Sequence, residues 1–374
     1  MRYRVTCLSP TLVGDGNKLA PIDYMVWKDH LNVLNQQRIF KLLSKGPRLE
    51  GYLQQLKTAD KLDFASWGGF AQNFAGRRIP FEHASVAPIF EKTPSENLFV
   101  PTFATSGTGP YLPATALKGA LRTGSVFDRW VNPKTEEGVL KELAEKSKES
   151  RLPRNSAVKA EEIVLGSGGR NLMRRVGAGD SHPTTYAGMK VYLLRTSTLI
   201  ARGAGKYELG WKSARGTAEA KRIDDSTPVF AEMASPGVTF DGIWQEQSER
   251  DRERVFQASN KFAAMQLARH KEYAQWTGLA PLQATVEGLE SKLNALGKGA
   301  CLLSLGWGGG MLSKVSASLS SGDDAEANSR TILKQAALYQ KALATGLPFP
   351  KTRRIVFEGG KAAQIPGWVL LELV

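Results

Sequence analysis

The chain has 374 residues, of which 42% are hydrophobic, 23% charged and 9% aromatic, a composition that supports a sizeable core and excludes a disordered or collagen-like chain. No run approaches the roughly 18 apolar residues of a membrane span, and the opening Met1-Arg2-Tyr3-Arg4-Val5-Thr6-Cys7 has no signal-peptide stretch, so a cytoplasmic protein without a membrane partner is expected. Fifty Lys and Arg against 36 Asp and Glu give a formal charge of +14 and a pI of 9.7, which makes nucleic acid the first partner to consider.

Residues 3–13 read as an opening strand cut short by Pro10 and closed by Gly14-Asp15-Gly16. Leu31, Val33, Leu34, Ile39, Phe40, Leu42 and Leu43 predict a strand running into an amphipathic helix, and 48–57 a further short helix. Between 64 and 100 aromatics mix with Gly and Pro, and irregular structure is expected. Residues 134–165 turn to Lys/Glu-rich helical spacing and, with the Gly/Arg-rich stretch that follows, read as a peripheral insertion at about 131–180. Val191–Leu194, Val229–Met233 and Val238–Trp244 are strand candidates, the last two bent around Pro236-Gly237. Residues 249–276 carry the most extended helical pattern, Cys301–Leu305 a short buried strand, and Ser329–Thr345 another helix closed by Gly346 and Pro348. Arg354–Phe357 and Trp368–Leu373 end the chain as two strands around a turn at Gly359-Gly360. Strands and helices interleave without doubly wound alternation, which favours an α+β architecture.

Residues that could carry chemistry are few. Cys7 and Cys301 are far apart and read as small core residues, with no disulfide framework. His30, His83, His182 and His270 show no metal-ligand spacing, and no cofactor is expected. Asp180-Ser181-His182 holds triad residue types, but neighbours in sequence do not by themselves face one another. His30 is the one candidate for a lone general base in metal-independent RNA cleavage, against the commoner role of a surface or core histidine.

Basic residues coincide with turns in three segments. In 112–123, Leu-Pro-Ala-Thr-Ala-Leu-Lys-Gly-Ala-Leu-Arg-Thr, a helix is expected to start with Thr115 as N-cap, and Lys118 and Arg122, four apart around Gly119, share a face. That arrangement is either an anion site or an ordinary amphipathic helix with solvated cations. In Gly306-Trp307-Gly308-Gly309-Gly310-Met311-Leu312-Ser313-Lys314, the glycines either let backbone amides approach a phosphate or simply make a turn. It is not a Walker loop, and no dinucleotide fingerprint is complete. In Leu347-Pro348-Phe349-Pro350-Lys351-Thr352-Arg353-Arg354, a stiff entry delivers three cations to a strand, to line phosphates or to protect a charged edge. Residues 166–222 add a local surplus of eleven Lys and Arg over three Asp and Glu, either a binding face or a solvated insertion.

The segment 112–123 resembles the Leu/Ile-Lys-Gly-Ala-Leu-Arg segment of the RAMP proteins of CRISPR systems, and Ala234-Ser235-Pro236-Gly237-Val238-Thr239-Phe240 is similar to their Pro-Gly-Thr-x-Phe strand. The glycine segment at 306–314, Pro350-Lys351-Thr352-Arg353, the terminal Gly367-Trp368-Val369-Leu370-Leu371 and the opening Leu8–Gly16 with Pro21-Ile22-Asp23-Tyr24 follow an order similar to the fifth-subunit family of type III-A (Csm) effector complexes. Residues 45–105 and 131–180 carry none of it, and Ala114-Thr115-Ala116 stands where the family has a Gly-Ser-Ser type of run.

The resemblance implies a ferredoxin-like (RRM-type) RAMP fold, elaborated by insertions and open to duplication, with an N-terminal region over 1–198 and a C-terminal region over 199–374. It implies a non-catalytic backbone subunit capping the 3′ side of the crRNA, supporting its maturation and retention and the binding of target RNA. Its partners would be crRNA, target RNA, the repeated backbone RAMP subunit and the small helical subunit. The residues expected to hold RNA are Thr115, Lys118, Gly119 and Arg122; Gly308, Gly309, Gly310 and Lys314; and Lys351 and Arg353. Arg202, Lys206, Arg215, Lys221 and Arg222 fall in a basic hairpin at about 199–226, where RAMP backbone subunits carry a thumb. Contact would be mostly to phosphates, because a guide varies in sequence. A RAMP endoribonuclease using His30, a subunit of another type III (Cmr-like) complex, and an RNA-binding protein outside CRISPR are the other readings.

Overall fold

The computed structural model describes residues 1–58, 71–130, 156–203, 205–213, 219–314, 339–340 and 343–374. Its two main sheets are built from β1 (Arg2–Cys7), β2 (Val176–Ala178), β3 (Met189–Gly203), β4 (Lys206–Trp211), β5 (Val229–Ala234), β6 (Thr239–Glu246), β7 (Ala300–Ser304), β8 (Thr352–Glu358), β9 (Lys361–Gln364) and β10 (Trp368–Leu373). In β1 the period of two sends Tyr3, Val5 and Cys7 inward and leaves Arg2 and Arg4 exposed.

The first sheet has the order β7-β10-β1-β6-β2 with antiparallel pairing throughout, Val5 facing Phe240 on one side and Leu371 on the other. β1 and β2 therefore run in the same direction with β6 between them. On the connection from β1 to β2 lies α1 (Ala114–Trp130), and β6 leads directly into α2 (Glu249–Thr277). Ser248 starts α2 by accepting the Asp251 N–H, and Val255, Phe256, Phe262, Ala263, Leu267, His270 and Ala274 return at helical spacing on its buried face. α1 buries Leu117, Leu121 and Phe127. It meets α2 so closely that a Cβ on Gly124 would stand 2.8 Å from Ser259 Cα.

The second sheet has the order β4-β3-β8-β9, with β5 on the first part of β3, and its ladders shift register where β3 meets β4 and β8 meets β9, giving curled sheets in an α+β molecule. Both sheets share a core: Tyr192, Leu194, Met233 and Val356 pack in one cluster with Tyr3, Val5, Leu121 and Phe256. Each such fully buried side chain contributes about 2 kcal/mol. A second cluster joins α3 (Ala280–Asn294), through Leu282, Val286 and Leu289, to Leu302, Ile355 and Trp368. A small three-stranded sheet of Tyr24–Trp27, His30–Leu34 and Ala75–Pro80 carries the helices Gln36–Leu43 and Arg48–Thr58 beside it. No helix among the described residues is long and apolar enough to cross a membrane.

Several expectations change. The 64–100 stretch contains the strand Ala75–Pro80 and the helix Val86–Lys92, its apolar residues covering Tyr24 and Phe230 through Phe90. α3 carried no sequence expectation. The bend expected at Pro236-Gly237 is present, and it carries the chain from β5 in the second sheet to β6 in the first. The turn at Gly359-Gly360 joins β8 to β9, and β10 belongs to the other sheet. Residue 198 falls inside β3, and the first sheet draws strands from both sides of it. Of the expected 131–180 insertion, 131–155 lie outside the described residues, and Ser156–Leu165 is helical. The expected Ser329–Thr345 helix lies mostly outside them.

Candidate nucleic-acid interface

β1 and β7 are both antiparallel to β10, so their C-terminal ends emerge on the same side of the first sheet. The loop after β1 and the glycine loop after β7 meet there. Trp307 N–H donates to Leu12 O at 2.7 Å, and a Cβ on Gly306, whose φ is 71°, would collide with that carbonyl oxygen. Glycine is thus required at 306 by the protein's own backbone. α1, which runs back from this edge, brings Ala116 to the same place. The result is an outer cleft of about 530 Å³ between Val13, Gly16, Lys18, Ala116, Trp307 and Lys314.

An inner cleft of about 300 Å³ lies on the other side of the glycine loop, lined by Gly308, Gly309 and Gly310, Thr196 of β3, His270 of α2, and Thr352, Arg353 and Arg354 of β8. The two clefts share a wall, since the Arg354 guanidinium stacks 4.2 Å above the Trp307 ring. Burial lowers the Arg354 pKa below its usual value.

The expected RNA-binding residues divide into three groups. Lys118, Lys206, Lys221, Arg222 and Lys314 have side chains without an ion-pair partner among the described residues. A second group is paired: Arg122 with Glu161, Arg202 with Glu208, and Lys351 with Glu219 at 3.0 Å, which Lys212 also holds at 2.6 Å. Arg353 is buried, its Nη1 donating to Pro350 O at 2.7 Å and Thr352 O at 2.9 Å, its guanidinium 4.7 Å from the Tyr273 ring. Burial lowers its pKa to about 10. Lys351 and Arg353 are therefore fixed parts of the fold and not solvent-presented cations. Arg215 lies outside the described residues.

Thr115 is not the N-cap. α1 begins at Ala114, whose N–H is taken by the Asp180 carboxylate at 2.7 Å, and Thr115 is exposed in the first turn. The sequence next to Asp180 is equally structural: Ser181 Oγ accepts the Leu112 N–H at 2.8 Å and donates to His182 O at 3.0 Å, so no triad is assembled. His30 sits at a hairpin with Nδ1 2.7 Å from Asp29 Oδ1 and lines neither cleft. The basic hairpin forms from the end of β3 and β4, with Lys206 opposite Gly203, while Lys221 and Arg222 lie on a separate exposed stretch tied down by buried Arg195, which donates to Ile223 O at 2.7 Å and to Ser226 O at 2.5 Å. Arg354, Lys18 and His270 were missed as lining residues. Only the order of strands brings them to the glycine loop, although the Arg354 position next to the buried Arg353 follows from strand alternation.

A family model of the RAMP superfamily matches residues 4–247. The chain belongs to the RAMP superfamily. No curated protein matches this RAMP chain. Among solved structures it is similar to a chain of a cryo-EM structure of a Csm–crRNA–target RNA ternary complex in a type III-A CRISPR-Cas system, with 19% identity, 100% of both chains covered and a TM-score of 0.68. It is also similar to the crystal structure of T. onnurineus Csm5, with 17% identity, 99% of this chain and 100% of that one covered, and a TM-score of 0.62. Both likenesses extend over the glycine loop and β8, which lie beyond the residues the family model matches.

Proposed function

We propose that this RAMP protein is a non-catalytic crRNA-binding backbone subunit of a type III-A CRISPR interference complex, in the place of the fifth Csm subunit. It caps the 3′ side of the crRNA, supports crRNA maturation and retention, and helps bind target RNA. The observation that carries this reading is the end-to-end likeness to a chain of a Csm–crRNA–target RNA complex. The net charge of +14 and the cations beside the glycine loop and on the hairpin that have no ion-pair partner among the described residues support it, because phosphate contact needs no fixed guide sequence.

The finer fold reading belongs here too. With β7 set aside, β10-β1-β6-β2 has the strand order of a ferredoxin-like βαββαβ unit, with α1 and α2 as its helices and β3, β4, β5, β8 and β9 as the elaboration. The partners are crRNA, target RNA, the repeated backbone RAMP subunit and the small helical subunit, in the cytoplasm.

The test is to purify the chain alone and with its co-encoded neighbours, then extract and size the RNA. Discrete crRNA-sized species in the multi-subunit particle, shortened or lost when this chain is omitted, are expected. Specific cutting of repeat RNA by the chain alone, abolished in His30→Ala, would overturn the reading in favour of an endoribonuclease.

A further inference from the structure

Away from the clefts and the hairpin, the helical layer carries a further set of cations. On α1, Lys118, Arg122 and Arg129 lie four and then seven positions apart, which places them along one stripe of the helix. α2 repeats that spacing with Arg250, Arg254 and Lys261. The two stripes meet: Asp128 of α1 pairs with Lys261 at 2.5 Å, and the Arg129 pKa is lowered by burial and then by the charge of Arg254. A basic band therefore begins at Lys118, reaches Arg129 about 17 Å farther along α1, and crosses there to Arg254 and Arg250.

The carboxylates around this junction are committed elsewhere. Glu161 holds Arg122, Asp128 holds Lys261, Asp251 holds Arg175 at 2.8 Å, and Glu246 and Glu249 both hold Arg252. Glu253 pairs with neither Arg250 nor Arg254. Arg129, Arg250 and Arg254 are thus left without an ion-pair partner among the described residues. Arg250 stands in the first turn of α2, where the positive end of the helix dipole disfavours a cation. Guanidinium groups gathered in this way repel one another, and a bound anion relieves that repulsion.

The make-up of the band separates the kinds of anion. Arg250, Arg254, Gln257 and Lys261 are exposed along α2, and among the described residues none of the exposed large apolar side chains belongs to α1 or α2. A stable protein partner needs a desolvated apolar centre inside a polar rim, which this surface lacks. A phosphodiester strand needs only successive cations along a continuous track.

We propose that the helical layer is a second RNA-binding surface, on which Arg129, Arg254 and Arg250 hold the phosphodiester backbone of a single strand running along α1. The proposal rests on the RNA-binding reading and adds a path that neither the clefts nor the β3–β4 hairpin supplies. Its contacts are to phosphates, so it takes any sequence.

The test measures binding of the full chain to an oligouridylate and to a mixed-sequence RNA, each of about 20 nucleotides, over a range of salt concentrations. Replacing Arg129, Arg250 and Arg254 together by Gln is expected to weaken both RNAs alike and to flatten the log-log salt slope by about 2, at roughly 0.7 for each phosphate no longer neutralised. Arg250→Gln with Arg254→Gln, both at exposed positions, is expected to flatten it by about 1.4 and serves if the triple variant does not fold. A control with the same loss of charge, Lys41, Lys45 and Lys57 to Gln on the small helices, is expected to keep the wild-type slope. A wild-type slope in the arginine variants, or an equal change in the control, would overturn the inference and leave the proposed function standing. So would the loss of a protein subunit from the assembled particle with RNA binding unchanged, which would assign the band to an acidic protein. Failure of the wild-type chain to bind RNA, alone and in the assembled particle, would count against the RNA-binding reading itself.

Discussion

Cations at the glycine loop and cations on the β3–β4 hairpin occupy opposite physical regimes, although both segments look alike as runs of Lys, Arg and Gly. At the loop, Arg353 is buried against Tyr273 and carbonyl oxygens, and Arg354, one residue on, is stacked on Trp307. On the hairpin side, Lys206 stands in solvent at the β3–β4 turn, and Lys221 and Arg222 stand in solvent on a separate stretch pinned by Arg195. Thr196 lines the inner cleft and Gly203 ends the same strand, so the two regions lie roughly 20 Å apart along β3. The first region is pre-organised and suited to a fixed feature of a ligand. The second offers diffuse, salt-sensitive attraction.

The comparison breaks most severely where the rigid region loses its frame. Arg77→Met removes the partner of Glu232, a fully buried carboxylate held by Arg77 at 2.6 and 3.1 Å, and is expected to cost about 3 kcal/mol at pH 7 by urea unfolding. Burial raises the Glu232 pKa above the ordinary carboxylate value, with Arg77 pulling it back down. The folded chain therefore takes up a proton there before the unfolded chain does, so this group's contribution to stability falls as pH rises from the unfolded value through the raised one. The cost of Arg77→Met is expected to shrink on acidification from pH 7 to pH 5; a cost that grew would contradict the assignment.

Gly306→Ala comes next. Its Cβ would meet the Leu12 carbonyl in a left-handed backbone, and a loss of about 2–3 kcal/mol is expected, read as a lower thermal midpoint together with weaker RNA binding as the two clefts lose their common wall. Unchanged stability would mean that the loop is not braced against the β1 end.

Reversing Lys206, Lys221 and Arg222 to Glu is expected to leave the thermal midpoint nearly unmoved, weaken crRNA retention and flatten its salt dependence, by about 0.7 in the log-log slope for each phosphate no longer neutralised. An unaltered slope would remove the hairpin region from the RNA path. The smallest effect is expected for Lys351→Ala: Lys212 still holds Glu219, so RNA retention measured beside the wild type should not change. A large loss there would show that Lys351 leaves its ion pair when RNA binds.

Much of the frame was legible because periodicity encodes burial. The opening strand, the α2 pattern and the Cys301–Leu305 strand are recovered with little change, since burial falls on one face of the first two and covers every residue of the third. The glycine loop was legible as a place of close backbone approach, yet at Gly306 the approaching group is Leu12 of the same chain. The three basic segments were recognisable too, but their cations were not separable. Whether a Lys or Arg is solvated, paired or buried depends on the partner that tertiary structure supplies, as Glu161 does for Arg122 and Glu219 for Lys351.

The sequence by itself determined the α+β class, the principal helix, the basic character and the segments that resemble RAMP proteins, because composition, period and turn chemistry are local properties of the chain. Tertiary structure alone decided that β5 and β6 part company at Pro236-Gly237, that Asp180 and not Thr115 closes the start of α1, and that Arg353 and His270 line one cleft. Those outcomes depend on contacts between residues tens to hundreds of positions apart, and strand order, which sets such contacts, leaves no local trace.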